Sequence, residues 1–144
     1  MSARLDRQAA FSGTADVRPP HRFDAAALAA YLADHVEGFA GPLTVSQFKG
    51  GQSNPTYKLA TPRASYVLRR KPPGRLLPSA HAVEREYRVT AALHPLGFPV
   101  PRPHLLCEDP AVIGTAFYVM DFVPGRVFWE PHVPRVAAAE RAAI

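Results

Sequence analysis

Leu28, Tyr31, Leu32, His35 and Val36 recur at three- and four-residue intervals, the spacing that lines one face of a helix. Asp24 precedes them as a capping carboxylate, Phe23 is placed to staple onto Leu28, and Gly38 stops the run, so the pattern predicts a helix over 25–37. From Leu43 the period shortens. Leu43 to Phe48, Thr56 to Ala60 and Ser65 to Arg70 are short runs rich in β-branched and aromatic residues, separated by turn residues, and read as three consecutive antiparallel strands. Helical spacing returns behind Pro78, with Ser79 as the expected N-cap, and ends near Leu93 before His94-Pro95 and Gly97. Pro99, Pro101 and Pro103 then force an extended approach to a strand at Leu105-Leu106-Cys107. Thr115 to Phe122 is an almost continuous apolar run, expected to be a strand buried on both faces. A further helix is expected to open at Val136.

This order predicts an α+β fold: a five-stranded antiparallel sheet with the helix of about 80–93 packed on one face, preceded by an N-terminal helix. Residues 1–22 lack periodicity, end in Pro19-Pro20, and are expected to form a flexible tail. The organisation that follows is 23–42 for the first helix and its link, 43–126 for the sheet domain, and 127–144 for the start of another lobe.

Composition narrows the function classes. The chain has 144 residues, 47% of them hydrophobic, enough to bury a core, and no apolar stretch long enough to span a membrane. Cys107 is the single cysteine, which excludes an intramolecular disulfide, and Met1 to Phe11 lacks the apolar centre of a secretory signal; a cytoplasmic setting is expected. The formal charge is +5 but is unevenly placed. Between Glu37 and Glu84 there is no acidic residue, whereas Lys49, Lys58, Arg63, Arg69, Arg70, Lys71 and Arg75 give that stretch a charge of +7. Such a stretch suits an anionic ligand or is simply a solvated basic face. Nucleic acid is disfavoured, because Arg69 to Arg75 has no interleaved aromatic residue and Pro72-Pro73-Gly74 breaks any groove-entering helix. His35 lies on the apolar stripe of the first helix and reads as a packed or rim histidine, with no second ligand at i+4; no metal-ligand spacing occurs in the chain.

Three features could carry chemistry. Gly50-Gly51-Gln52-Ser53-Asn54 joins two strands, and its glycines let backbone N–H groups approach a ligand; the same pair could equally just form the turn. It is not a P-loop, since no Gly-Lys-Ser/Thr follows. On the third strand, alternation puts Arg69 on the face of Val67, beside a buried neighbour, where a cation needs a counter-charge. Glu86 supplies one, lying on the helix stripe of Val83, Thr90 and Leu93, while Glu84 falls off that stripe and is expected to pair with Arg88 in solvent.

Taken together, GGQSNPTY, YVLRRKPPG, VEREYRV, GFPVPRP and FYVMDFVPG, spread over about 45–128, resemble the aminoglycoside phosphotransferase-like kinases, which share the protein-kinase fold. Within that family the resemblance is to the branch found beside acyl-CoA dehydrogenases. It implies a protein-kinase-like N-terminal lobe that binds ATP. Gly50, Gly51, Gln52, Ser53 and Asn54 match the family's nucleotide-covering loop. Arg69 matches the strand lysine that holds the α and β phosphates, with arginine in its place, and Glu86 matches the helix glutamate that pairs with it. Lys71, two residues on, is a candidate helper. Met120 matches the residue behind the adenine, and Asp121 and Val123 the hinge positions whose backbone meets it; Val67 is adenine-facing. Asp121-Phe122 is not the metal-binding Asp-Phe-Gly motif, since Pro124 and Gly125 follow.

The resemblance also implies what this chain lacks. The family's catalytic aspartate follows a histidine in a His-x-Asp loop of a second lobe that also carries the magnesium ligands, and none of the histidines here has aspartate two residues on. The expectation is therefore the nucleotide-binding lobe of an ATP-dependent phosphotransferase acting on a small hydroxyl-bearing substrate, with no catalytic or metal residue of its own. Alone it should be inactive. Aminoglycoside, choline-like alcohol and hydroxyacyl-CoA acceptors all remain open, as does oligomeric state. The other reading is a non-catalytic, kinase-like module that senses nucleotide or binds a partner.

Overall fold

The computed structural model describes residues 5–51, 53–133 and 135–144. In chain order its elements are α1 (Arg7–Phe11), β1 (Thr14–Ala15), a 3-10 turn at Pro19–His21, α2 (Ala25–His35), β2 (Thr44–Phe48), β3 (Thr56–Ala60), β4 (Ser65–Arg70), α3 (Val83–Leu93), a 3-10 turn at His94–Leu96, β5 (Pro103–Cys107), β6 (Phe117–Asp121) and α4 (Ala138–Arg141). The strands form one antiparallel sheet in the order β1-β2-β3-β4-β6-β5. The α+β architecture and the three central strands follow the sequence pattern.

Alternation along the strands gives the sheet two unlike faces. Tyr57 and Leu59 of β3, Tyr66 and Leu68 of β4, Leu105 and Cys107 of β5, and Phe117 and Val119 of β6 join Leu28 and Leu32 of α2 in one buried cluster. The Asp24 carboxylate starts α2 by accepting from the N–H groups of Ala26 and Ala27, both at 3.0 Å. A cap of this kind is worth about 1 kcal/mol. The opposite face carries Thr56, Lys58, Val67, Arg69, Tyr118 and Met120, which the strand registers place as cross-strand neighbours. Helix α3 packs on β5 and β6.

Four expectations are corrected. The sheet has six strands among the described residues, because the segment expected to be a loose tail is tied down. Gln47, 4% exposed, accepts from Arg18 N–H at 3.0 Å and meets His21 Nδ1 at 2.8 Å, and Thr14–Ala15 pairs with β2. A two-residue strand is too short to show any period, which is why the pattern was silent. Helix α3 starts at Val83 and not behind Ser79, since Ser79 (φ 63°) and His81 (φ 57°) are left-handed and its N-cap, Ala82, has no side-chain cap. Glu84 turns toward the sheet and pairs with Lys71. In the strand expected to be buried on both faces, only Phe117, Tyr118 and Val119 are buried. His35 is exposed, stacks on Tyr31 at 3.9 Å and has its Nδ1 2.7 Å from Tyr31 O, which makes it a histidine of the rim.

Candidate functional site

This second face of the sheet opens into a cavity of about 810 Å³, whose walls include Gly50, Gly51, Val67, Arg69, Met120 and Val123. The β2–β3 connection forms its rim. Gly51 is left-handed (φ 89°), and a Cβ on Gly50 would lie 2.2 Å from Trp129 Cη2 and Cζ2, so both positions require glycine. Ser53 is exposed on the same loop. Gln52 lies outside the described residues.

At the inner end of the cavity Arg69 meets Glu86. Nε lies 3.0 Å from Oε2 and Nη2 donates to Oε1 at 3.3 Å, a two-point contact between β4 and α3. The Nε approach is an ion contact without hydrogen-bond alignment. The two side chains keep 31% and 37% of their surface exposed, so the pair contributes little to stability and leaves the guanidinium reachable from the cleft. Glu86 is over-determined, for it also accepts from Asn54 Nδ2 at 3.1 Å and from Tyr118 OH at 3.0 Å. Burial raises the Tyr118 phenol above its ordinary value, and the Glu86 charge raises it further. That hydroxyl stays protonated and donating at all physiological pH.

A second ion pair repeats the first one turn of the strand away, with Lys71 Nζ 3.1 Å from Glu84 Oε2. Glu84 is held below its usual value of 4.5, chiefly by a backbone N–H of its own helix start; burial opposes this, and the hydrogen bond and charge of Lys71 add to the lowering. A carboxyl lowered in the folded state adds stability that is complete above the unfolded value and is lost as pH falls through the folded one. Lys71→Met is therefore expected to lower the neutral plateau slightly and to flatten the acid limb below about pH 4.5 by the same small amount, the two profiles converging at low pH. Chemical denaturation at a series of pH values checks this, and an acid limb identical to wild type would refute it.

At the hinge, Met120 and Asp121 end β6, Asp121 N–H donates to Arg102 O at 2.9 Å, and its carboxylate binds His104 Nε2 at 2.6 Å. Asp121 lines the cavity, and Val123 follows at its edge, 62% exposed. Of the residues singled out in the sequence, Gly50, Gly51, Val67, Arg69, Met120, Asp121 and Val123 line the cavity. Asn54 does not: it is 4% exposed and turned to Glu86. Sequence reasoning missed Tyr118, though its alternation with Met120 already set it on this face. It also missed Phe11 and Trp129, whose rings pack 5.6 Å apart at the outer wall, held by Gln8, which donates to Val127 O at 2.7 Å and accepts from Trp129 N at 3.2 Å. No periodic pattern marks them.

A twisted antiparallel sheet clasped to one helix by an arginine–glutamate pair, beside a glycine turn and a hinge, makes this a kinase-like phosphotransferase domain. Residues 44–144 match the profile described as "Phosphotransferase enzyme family", and the chain belongs to that family. It is 51% identical over 137 residues to mouse acyl-CoA dehydrogenase family member 11, which covers 92% of this chain and 18% of the relative. With the chicken protein of the same name it shares 52% identity over 136 residues, covering 92% and 18% respectively. The chain thus spans under a fifth of the length of these curated relatives. A crystal structure from Ralstonia eutropha, provisionally described as an aminoglycoside phosphotransferase, superposes with a TM-score of 0.66 at 55% identity, over 85% of this chain and 34% of that one.

Proposed function

We propose that the chain is the nucleotide-binding lobe of an ATP-dependent phosphotransferase that phosphorylates a hydroxyl of a small substrate. The observation that carries this reading is the two-point Arg69–Glu86 contact at the inner end of an apolar cleft rimmed by glycines. A guanidinium fixed by a carboxylate presents its remaining N–H groups in a rigid fork, which suits α and β phosphate oxygens. Gly50 and Gly51 offer backbone N–H groups to the same phosphates without a Cβ between, and Ser53 adds a hydroxyl. Val67 lies against the adenine and Met120 stands behind it, and the adenine meets the Asp121 carbonyl and the Val123 N–H at the hinge.

Magnesium does not fit the residues present. No group of three or more His, Cys, Asp or Glu side chains capable of holding a metal ion occurs among the described residues. The metal ligands and the base that accepts the substrate proton therefore belong, in this proposal, to a second lobe of the longer protein. This lobe supplies positioning and phosphate charge neutralisation, both required because phosphoryl transfer depends chiefly on geometry and electrostatics.

Calorimetric titration of ATP into the chain tests the reading directly. A saturable isotherm in which ATP competes with a non-hydrolysable analogue is expected, with no turnover by the isolated lobe. A flat isotherm up to millimolar ATP would favour a kinase-like interaction module instead.

A further inference from the structure

Asn54 is buried between two partners that fix the orientation of its amide. On one side stands the Glu86 carboxylate, with Oε1 at 3.1 Å, and an ionised carboxylate can only accept, so the amide nitrogen must face it. The amide oxygen then faces His81, whose Nδ1 lies 3.0 Å away. That oxygen can only accept in its turn, so His81 must carry its proton on Nδ1. His81 itself is left-handed (φ 57°), two residues ahead of α3, in a backbone region that histidine, with asparagine and aspartate, adopts more readily than other side-chain-bearing residues. Its carbonyl accepts from Val83 N–H at 2.8 Å at the head of the helix. A directed chain of donors thus runs from His81 through Asn54 to Glu86, where it meets Arg69 and Tyr118. Asn54 closes the glycine loop and His81 opens α3, so the relay joins the two segments that flank the cleft.

We propose that Asn54 and His81 form a positioning dyad, which holds the Glu86 carboxylate in register with Arg69 and makes the glycine loop and α3 move as one unit. The consequence for nucleotide affinity rests on the nucleotide-lobe reading above; the consequence for the ion pair does not. Without the dyad, Glu86 keeps Tyr118 and Arg69 but loses the donor on its loop side. Its carboxylate is then free to rotate away from the guanidinium, and the loop is free to lift from the helix. The dyad touches no phosphate in this arrangement. It acts through Glu86.

The experiment uses nitrogen-15 NMR of the chain together with ATP titration. In the wild type, long-range proton–nitrogen spectra should show His81 protonated at Nδ1 and bare at Nε2, the minority tautomer of free neutral histidine; Asn54→Ala should return it to the Nε2 form. Asn54→Ala and His81→Ala should each speed hydrogen exchange at Arg69 Nη2, which donates to the Glu86 oxygen that Asn54 also holds, at least about threefold and weaken ATP binding about tenfold, the scale of one hydrogen bond to a charged group. His81→Asn puts an amide N–H where Nδ1 stood and tolerates the left-handed backbone, so it should restore both to within about twofold of wild type. A wild-type His81 bare at Nδ1 would overturn the dyad, as would unchanged Arg69 exchange in both alanine variants. Altered Arg69 exchange beside a wild type that binds no ATP would support the dyad and overturn the nucleotide reading alone.

Discussion

Arg69→Ala is expected to weaken ATP binding by between about tenfold and a hundredfold, the loss of roughly 1.5 to 3 kcal/mol that accompanies removal of a charged hydrogen-bond donor. Two effects act in the same direction. The guanidinium that would hold phosphate is gone, and Glu86 is left with only neutral donors, Asn54 and Tyr118, so an uncompensated carboxylate faces the incoming anion. Stability should hardly change, because both members of the pair are about one-third exposed. Arg69→Lys should fall between the two, since it keeps the charge and loses the fork. Calorimetric ATP titration of the three proteins, with thermal unfolding alongside, checks the expectation. Equal affinity for wild type and Arg69→Ala would remove Arg69 from phosphate binding.

The largest effect on stability is expected from Phe117→Ala. The Phe117 ring is wholly buried at the centre of the core cluster, edge-on to Tyr31 at 6.0 Å, on the strand that joins β4 to β5. Removing a ring of that size from a packed interior costs about 3 to 5 kcal/mol, through lost transfer free energy and the cavity left behind. A domain of this size has a total stability on the order of 5 to 15 kcal/mol, so much of the reserve would go. Urea unfolding should show a midpoint displaced well below wild type at an unchanged slope. A loss under about 1 kcal/mol would mean that the neighbours collapse into the space. Val123→Ala, at an exposed position, serves as the control.

The parts of this structure that were legible in the sequence are those where a period repeats long enough to be seen. β3 and β4 fall on the expected residues, α2 begins at the expected cap, and alternation on β4 together with the stripe on α3 set Arg69 opposite Glu86 before any coordinates. What escaped was decided by contacts between distant segments. Gln47 anchoring residues 18–21, and Gln8 anchoring 127–129, have no local signature. The start of α3 was misplaced because Ser79 has the chemistry of a cap but not the backbone conformation. The placement of charge was equally out of sight: of seven cations in the basic stretch, Arg69 and Lys71 are paired with α3, Arg70 is buried, and Lys58 lies over the Phe122 ring at 4.4 Å. A net count along the chain could not see partners brought in by folding.

The two unlike faces of β4 also set what length changes the chain can absorb. Arg69 and Arg70 are adjacent and chemically identical, yet one points into the cleft, while the other is 3% exposed on the core side, stacked near Phe23 with its donors turned to the carbonyls of Lys71 and Ile113. Burial depresses the Arg70 pKa, and the surrounding carbonyl dipoles stand in for a counter-ion. Inserting one residue at the start of β4 would move Arg69 into the buried position and Leu68 into the one that faces Glu86, and would throw Tyr66 out of the core as well. Insertions in the 61–64 turn leave that parity intact. Evolution can therefore lengthen this lobe at its hairpins, but within β4 the chain is counted in steps of two.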